Sequence, residues 1–207
     1  MPIVKNPINT TLSQDERERN KDCVPLLEEL AAADPVIRRW AARDCIDCLG
    51  AAAALVGRLK VEQELSVREV IFTSLTRMGD PVAVAGLVAC LRSEHSALRN
   101  EAIEAMKQLP DEMAPILREL LADPDPDVRI FTVNILESLR HPGVEAWLLI
   151  VIENDPHLNV CATAVDLLCE VGTEAAREPL VRLKSRFCDE PFIQFAADLA
   201  LARIGSI

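Results

Sequence analysis

From Asp125 the chain reads Asp-Pro-Asp-Val-Arg and then IFTVNILESLR, and weaker copies of this run recur along the sequence. The run is built to start a helix. Asp125 can cap, Pro126 suits a first turn, Asp127 stands at the positive helix end, and apolar residues then return at helical spacing. With Arg129 as position zero, the equivalent positions are Arg39, Arg68, Arg99, Arg129, Cys161 and Gln194, separated by 29, 31, 30, 32 and 33 residues. Offsets 2, 3, 6, 7 and 10 from each are mostly small or apolar, as Phe131, Thr132, Ile135, Leu136 and Leu139 are in the clearest copy. Those offsets trace one side of a helix. The next residue is Gly50, Gly79, Pro110, Arg140, Gly172 or Gly205, mostly a helix stop.

A second apolar stretch precedes each of these helices, among them VPLLEELAA, MAPILRELLA and VEAWLLIVIE. The unit is therefore a pair of antiparallel helices joined by a short turn. A unit this small cannot bury its own apolar face, so a self-similar period of roughly 30 residues means stacked repeats. Composition agrees: half the residues are hydrophobic, yet aromatics are 3% and tyrosine is absent, which suits helices packed through Ala and Leu. The fold class expected is all-α, an α-solenoid of about six two-helix repeats over residues 22–207, preceded by an N-terminal arm and capping helix over 1–21. In the arm, Ser13-Gln14-Asp15-Glu16 reads as a capping box opening a polar helix.

The net charge of −11 leaves no basic surplus to displace phosphate counterions, which argues against a nucleic-acid scaffold. It favours a basic or amphipathic protein segment as partner, or simply keeps a repeat protein soluble. Seven cysteines, an odd number at mostly apolar helix positions, read as reduced thiols packed as small hydrophobes in a cytoplasmic protein. No stretch has the apolar length of a membrane span, and the N-terminus lacks a signal pattern.

The DPDVR start, the paired small and apolar positions and the closing apolar-Gly resemble the short HEAT repeat common in bacteria, the phycobilisome-lyase HEAT-like repeat. The likeness runs from about residue 22 to 205. It implies that the second helix of each unit lines a concave face, with offsets 1, 4, 5 and 8 turned outward. A protein-binding groove would then be formed by Trp40, Phe72, Ile103, Ile130, Val133, Val165 and Phe195. Asp44, Glu104 and Asp166, with Asp47 and Glu137, would edge it with carboxylates. An apolar band bordered by acid suits an amphipathic basic helix, whereas a helix rotation different by some tens of degrees would bury it. The resemblance also implies a structural ladder of Arg39, Arg68, Arg99 and Arg129, bonding turn carbonyls or an Asp such as Asp34, Asp125 or Asp127.

Chemistry has little to stand on. Cys45-Ile46-Asp47-Cys48 is a CxxC, but it lies mid-helix with Cys45 at a core position, so it reads as structural rather than as a metal or redox pair. His95, His141 and His157 fall in turns, without ligand spacing, and no phosphate loop, nucleophile elbow or HExxH occurs. No catalytic residue, metal or cofactor is expected. The expected function is a non-enzymatic scaffold or adaptor that binds another protein. The resemblance supplies an alternative, a bilin or tetrapyrrole lyase-like accessory protein, with Trp40, Phe72, Asp44 and Arg43 around the chromophore. The apolar last helix allows a third reading, self-association as a homodimer.

Overall fold

The computed structural model describes residues 23–205, so the arm and capping helix expected over 1–21 lie outside the described residues. Twelve α-helices and no strand occur among the described residues. They fall into six pairs: α1 (Cys23–Glu29) with α2 (Pro35–Asp44), α3 (Ala51–Leu59) with α4 (Leu65–Met78), α5 (Pro81–Cys90) with α6 (Ser96–Met106), α7 (Pro110–Leu120) with α8 (Pro126–Leu136), α9 (Val144–Asn154) with α10 (Leu158–Val171), and α11 (Arg177–Arg186) with α12 (Pro191–Ile204). The last pair is entered through a short 3-10 turn, Glu174–Ala176.

The helix starts follow from local chemistry. Asp34, Asp80 and Asp125 each accept backbone N–H groups of the first turn, and each is followed by a proline at the first helical position, where its missing donor costs nothing. Gly79 ends α4 in the left-handed conformation, φ 57°, which a glycine adopts without strain. Second helices pack in an unbroken row, α2 on α4, α4 on α6, α6 on α8, α8 on α10 and α10 on α12. First helices approach each other less regularly. The closest approach is made by α3 and α5, where a Cβ added at Gly86 would fall 2.2 Å from Val56 Cγ2.

The arginine ladder exists, with one member different from expectation. In the first unit the buried guanidinium belongs to Arg38, and Arg39 is exposed. Its Nη1 donates to the carbonyls of Ala32 and Ala33, both at 2.9 Å, and Nε and Nη2 donate to Glu62 of the next unit at 2.7 and 2.8 Å. The register of unit one therefore lies one residue earlier than the sequence pattern suggests. Cys48, not Leu49, takes the offset-ten core place, and Leu49 is 98% exposed.

The other rungs repeat the arrangement. Arg68 binds the Gln63 carbonyl and Glu101; Arg129 binds the Asp123 and Pro124 carbonyls and Asp155, with Nε to Oδ2 at 2.6 Å. Arg99 donates to the Ser93 carbonyl but faces the Phe131 ring at 5.4 Å instead of an acid, and its Nε has no hydrogen-bond partner. The acids are thus Glu62, Glu101 and Asp155 of the following unit, not Asp34, Asp125 or Asp127. Asp34 and Asp125 are occupied as helix caps.

One cysteine expectation fails. Cys23, at the start of α1, is joined to Cys48, in the turn after α2, by a disulfide with Cα atoms 5.5 Å apart. Helix α1 is seven residues long and has no fully buried residue; Leu26 and Leu27 pack on the core from one side, and this bond and the Arg38 contacts to the following turn add to that hold. A disulfide belongs to oxidising surroundings, which removes the basis for reading all seven thiols as reduced and the compartment as reducing. Cys45 is a packed core thiol, as its register predicts. No helix is long and apolar enough to cross a membrane among the described residues.

Replacing Arg38 by Gln leaves Glu62 buried against Arg58 alone and should cost about 3 kcal/mol, because a buried charge loses its main partner. Arg39→Gln should stay within about 0.5 kcal/mol, as exposed changes do. Urea unfolding of the two variants measures the difference. Acid should act through the same pair. The hydrogen bond from Arg38, with help from Arg58, holds the Glu62 carboxyl at about 2 despite its burial, against an ordinary 4.5. Between those values the unfolded chain takes up a proton that the folded chain refuses. The stabilisation is therefore whole at neutral pH and fades as pH falls from about 4.5 to about 2. Urea midpoints across that range should lose part of their slope in Glu62→Gln.

Candidate protein-binding surface

Each inner second helix has at least three neighbours, its own first helix and the second helices on both sides, whereas α2 and α12 have a second helix on one side only. That leaves a narrow free arc, which decides where every expected groove residue lies. Phe72, Ile103, Val133 and Val165, expected outward at offset four, are buried at 6, 6, 1 and 0% exposure. They point at the following unit, so the apolar groove built on them does not exist. Ile130 is half-buried. Trp40 and Phe195 are exposed, at 51 and 70%, but they stand on the first and last second helices, at opposite ends of the described array. Trp40 lies beneath the Arg43 guanidinium, 4.1 Å from the ring centroid, and Arg43 pairs with Asp44 at 2.7 Å. With Phe72 buried elsewhere, these residues do not form the cleft a tetrapyrrole would need. At the end of the array Phe192, Phe195 and Leu199 share the open side of α12.

The free arc is instead polar and acid-rich, carried by offsets 1, 5, 8 and 9. Between α4 and α6 it forms a cleft of about 450 Å³ lined by Glu69, Thr73, Arg77, Asn100 and Glu104, among others. Between α8 and α10 lies a smaller one, about 220 Å³, lined by Val133, Asn134, Glu137, Thr163, Asp166, Leu167 and Glu170. Lys107 joins the two regions by bonding Glu104 at 2.9 Å and Glu137 at 3.2 Å across the unit boundary. The flanking acids thus divide. Glu104 and Glu137 share a cation, and Asp44 is held by Arg43. Asp47 stands exposed in the turn after α2, away from both clefts. Asp166 is the outlier: loss of surrounding water raises its carboxyl above the usual range, and no cation offsets the rise.

No basic residue lines the α8–α10 cleft, which holds three carboxylates. Such a site attracts ammonium and guanidinium groups, and partial desolvation strengthens the attraction. Glu69 and Glu170 escaped the sequence reading because it took one buried stripe per helix. Two lateral neighbours narrow the open arc and move it toward offsets 1, 5 and 9. His95 is an exposed turn residue as expected, whereas His141 and His157 are partly buried. His141 Nδ1 accepts the Gly143 N–H at 2.9 Å and its ring stacks on Trp147 at 4.8 Å, while His157 Nδ1 is buried.

A family model described as HEAT repeats matches residues 21–107, 52–130, 84–149 and 113–185, overlapping spans that cover most of the chain. The chain belongs to the HEAT-repeat family. Among solved structures it is similar to an archaeal HEAT-like repeats protein from Thermococcus onnurineus NA1, at 17% identity and a TM-score of 0.49, covering 89% of this chain and 87% of that one. An engineered protein is similar at 20% identity and TM-score 0.42, over 90% and 97% of the two chains. The CpcE and CpcF complex of phycocyanin lyase from Nostoc sp. PCC7120 is similar at 17% identity and TM-score 0.37, over 99% of each. No curated protein matches the sequence. These likenesses concern the repeat fold alone.

The corrected rotation makes a stability prediction. Val165→Asp puts an unpaired carboxylate into a closed interface and should cost about 3 kcal/mol or more, whereas Phe195→Asp should stay near wild type. Thermal melts followed by circular dichroism distinguish them. Equal melts would mean that offset four is open after all.

Proposed function

We propose that this HEAT-repeat protein is a non-enzymatic scaffold, an adaptor that binds a basic segment of another protein along its second-helix face. The observation that carries the reading is the cleft between α8 and α10, where Asp166 and Glu170 stand without a cation beside Glu137, which already holds Lys107. Asp166 adds to it, because the part of its surroundings closed to water raises its carboxyl and an incoming cation would offset that. The row of second helices extends the same acid-leaning arc across several units. An extended or helical ligand could therefore meet it at more than one unit, as repeat arrays allow. Electrostatic complementarity of this kind sets partner choice and association rate more than final affinity.

A Lys- and Arg-rich peptide, labelled for fluorescence anisotropy, tests the reading against an acidic peptide of the same length. The basic peptide should bind, and its affinity should fall about tenfold from low to high salt as the charges are screened. Replacing Asp166 and Glu170 by Lys and Glu137 by Gln together should abolish that binding with little change in melting temperature, since Lys107 keeps Glu104 and none of the three holds the core. Equal binding of both peptides, or indifference to the triple replacement, would sink the proposal.

A further inference from the structure

The first-helix side of the array carries a different kind of site. We infer that the cleft between α5 and α7 docks a basic amphipathic helix of another protein. This is independent of the second-helix reading and lies on other helices. Helices α5 and α7 pack only sparsely on each other, and the gap between them encloses about 460 Å³. Val84 and Leu120, each 7% exposed, form part of its apolar lining with the half-buried Val88 and Ile116, and Ala85 is exposed at its side. An apolar cavity of about 150 Å³ accommodates a benzene-sized group, so this one has room for about three aliphatic side chains.

What the occupant carries follows from charge. Glu112 and Glu119 line the same cleft, and no Lys or Arg does. Neither carboxylate takes part in an ion pair or a side-chain hydrogen bond among the described residues. Glu112 leans over Gly79, whose missing side chain leaves it room; a Cβ there would lie 3.3 Å from Glu112 Oε1. The two glutamates are seven residues apart on α7, hence on one face and about 10 Å apart along its axis. A helix lying alongside α7 with Lys or Arg at the same seven-residue interval meets both. Leu, Ile or Met three and four residues into that interval then falls over Val88 and Ile116. The apolar contacts supply most of the hold, and the two carboxylates fix register and direction.

The probe is a synthetic helix with Lys at two positions seven apart and Leu at the two central ones, with a Glu-for-Lys version as control. Anisotropy titration should give saturable binding for the Lys peptide and none for the control. Ala85→Arg, which fills the mouth with bulk and like charge, should weaken binding at least tenfold. Glu112→Lys with Glu119→Lys should do the same. All three positions are exposed, so unchanged melting temperatures are expected, and the glutamate pair decides if Ala85→Arg does not fold. The triple replacement of Glu137, Asp166 and Glu170 should leave this binding as it was. Failure of the wild type to bind, or loss only in that triple variant, would overturn the inference. So would concentration-dependent self-association abolished by Ala85→Arg, which would make a second copy the occupant.

Discussion

A guanidinium at the foot of four of the six second helices closes the turn before it and reaches into the next unit. The turn residues between the two helices carry carbonyls without a helical partner, and Arg38, Arg68, Arg99 and Arg129 satisfy those of Ala32 and Ala33, Gln63, Ser93 and Asp123. Three of the four also grip a carboxylate of the following unit, so one side chain fixes both the helix pair and the spacing of the array. The arrangement is constrained enough that its failures are repaired. At Cys161 no guanidinium is available, and Arg186 of α11 arrives from the next unit instead, donating to the carbonyls of Ile152, Glu153 and Asp155 and to the Cys161 sulfur. At Gln194 the amide does the same job for Lys184 and Phe187. Where Phe131 takes the acid's place, Arg99 lies over its ring, and Arg92 supplies the ion pair between those units through Asp123.

That regularity divides the molecule into two unlike surfaces. Second helices are clamped at their feet and packed on both flanks, so their apolar residues are consumed by the array and their free arc is polar. First helices are joined less evenly: Arg182 and Arg186 of α11 hold α9, whereas no such pair joins α5 and α7 among the described residues. Gly86 lets α3 and α5 meet closely, whereas α5 and α7 leave an apolar gap between them. Ordered interior interfaces and an open exterior groove are thus consequences of one asymmetry in the unit.

How much of this the sequence carried depends on whether a feature repeats within the unit or acts between units. The period, the Asp-Pro starts at Asp34, Asp80 and Asp125, and the helix pairs repeat, and all are visible. Arg38 was passed over because Arg39 stands beside it, and a pattern tolerant of one residue accepts either. The partners Glu62, Glu101 and Asp155 lie one unit away, where in-unit spacing gives no sign of them. The burial of Phe72, Ile103, Val133 and Val165 has the same origin: an amphipathic stripe describes a helix with one covered face, and these helices have three. The Cys23–Cys48 bond joins two ends of one helix pair, 25 residues apart. Their proximity follows from an antiparallel turn, yet an odd number of cysteines conceals it.

Acidity, finally, is not spread evenly over the functions it serves. Glu62, Glu101, Asp123 and Asp155 are each bound to an arginine and hold units together. Their charge is neutralised locally and contributes little to the outside field. The net charge of −11 is therefore concentrated in carboxylates such as Asp166, Glu170, Glu112 and Glu119, which hold nothing within the fold. Those lie on two different faces, one with an acidic cleft that Val133 and Leu167 also line, the other with an apolar cleft edged by two carboxylates. Under the two proposed bindings, long-range attraction would guide a basic chain to either face, and the apolar lining between α5 and α7 would slow its departure there. The two proposed sites would then differ in kinetics as much as in position, with faster salt-sensitive exchange at the acidic cleft and longer residence between α5 and α7.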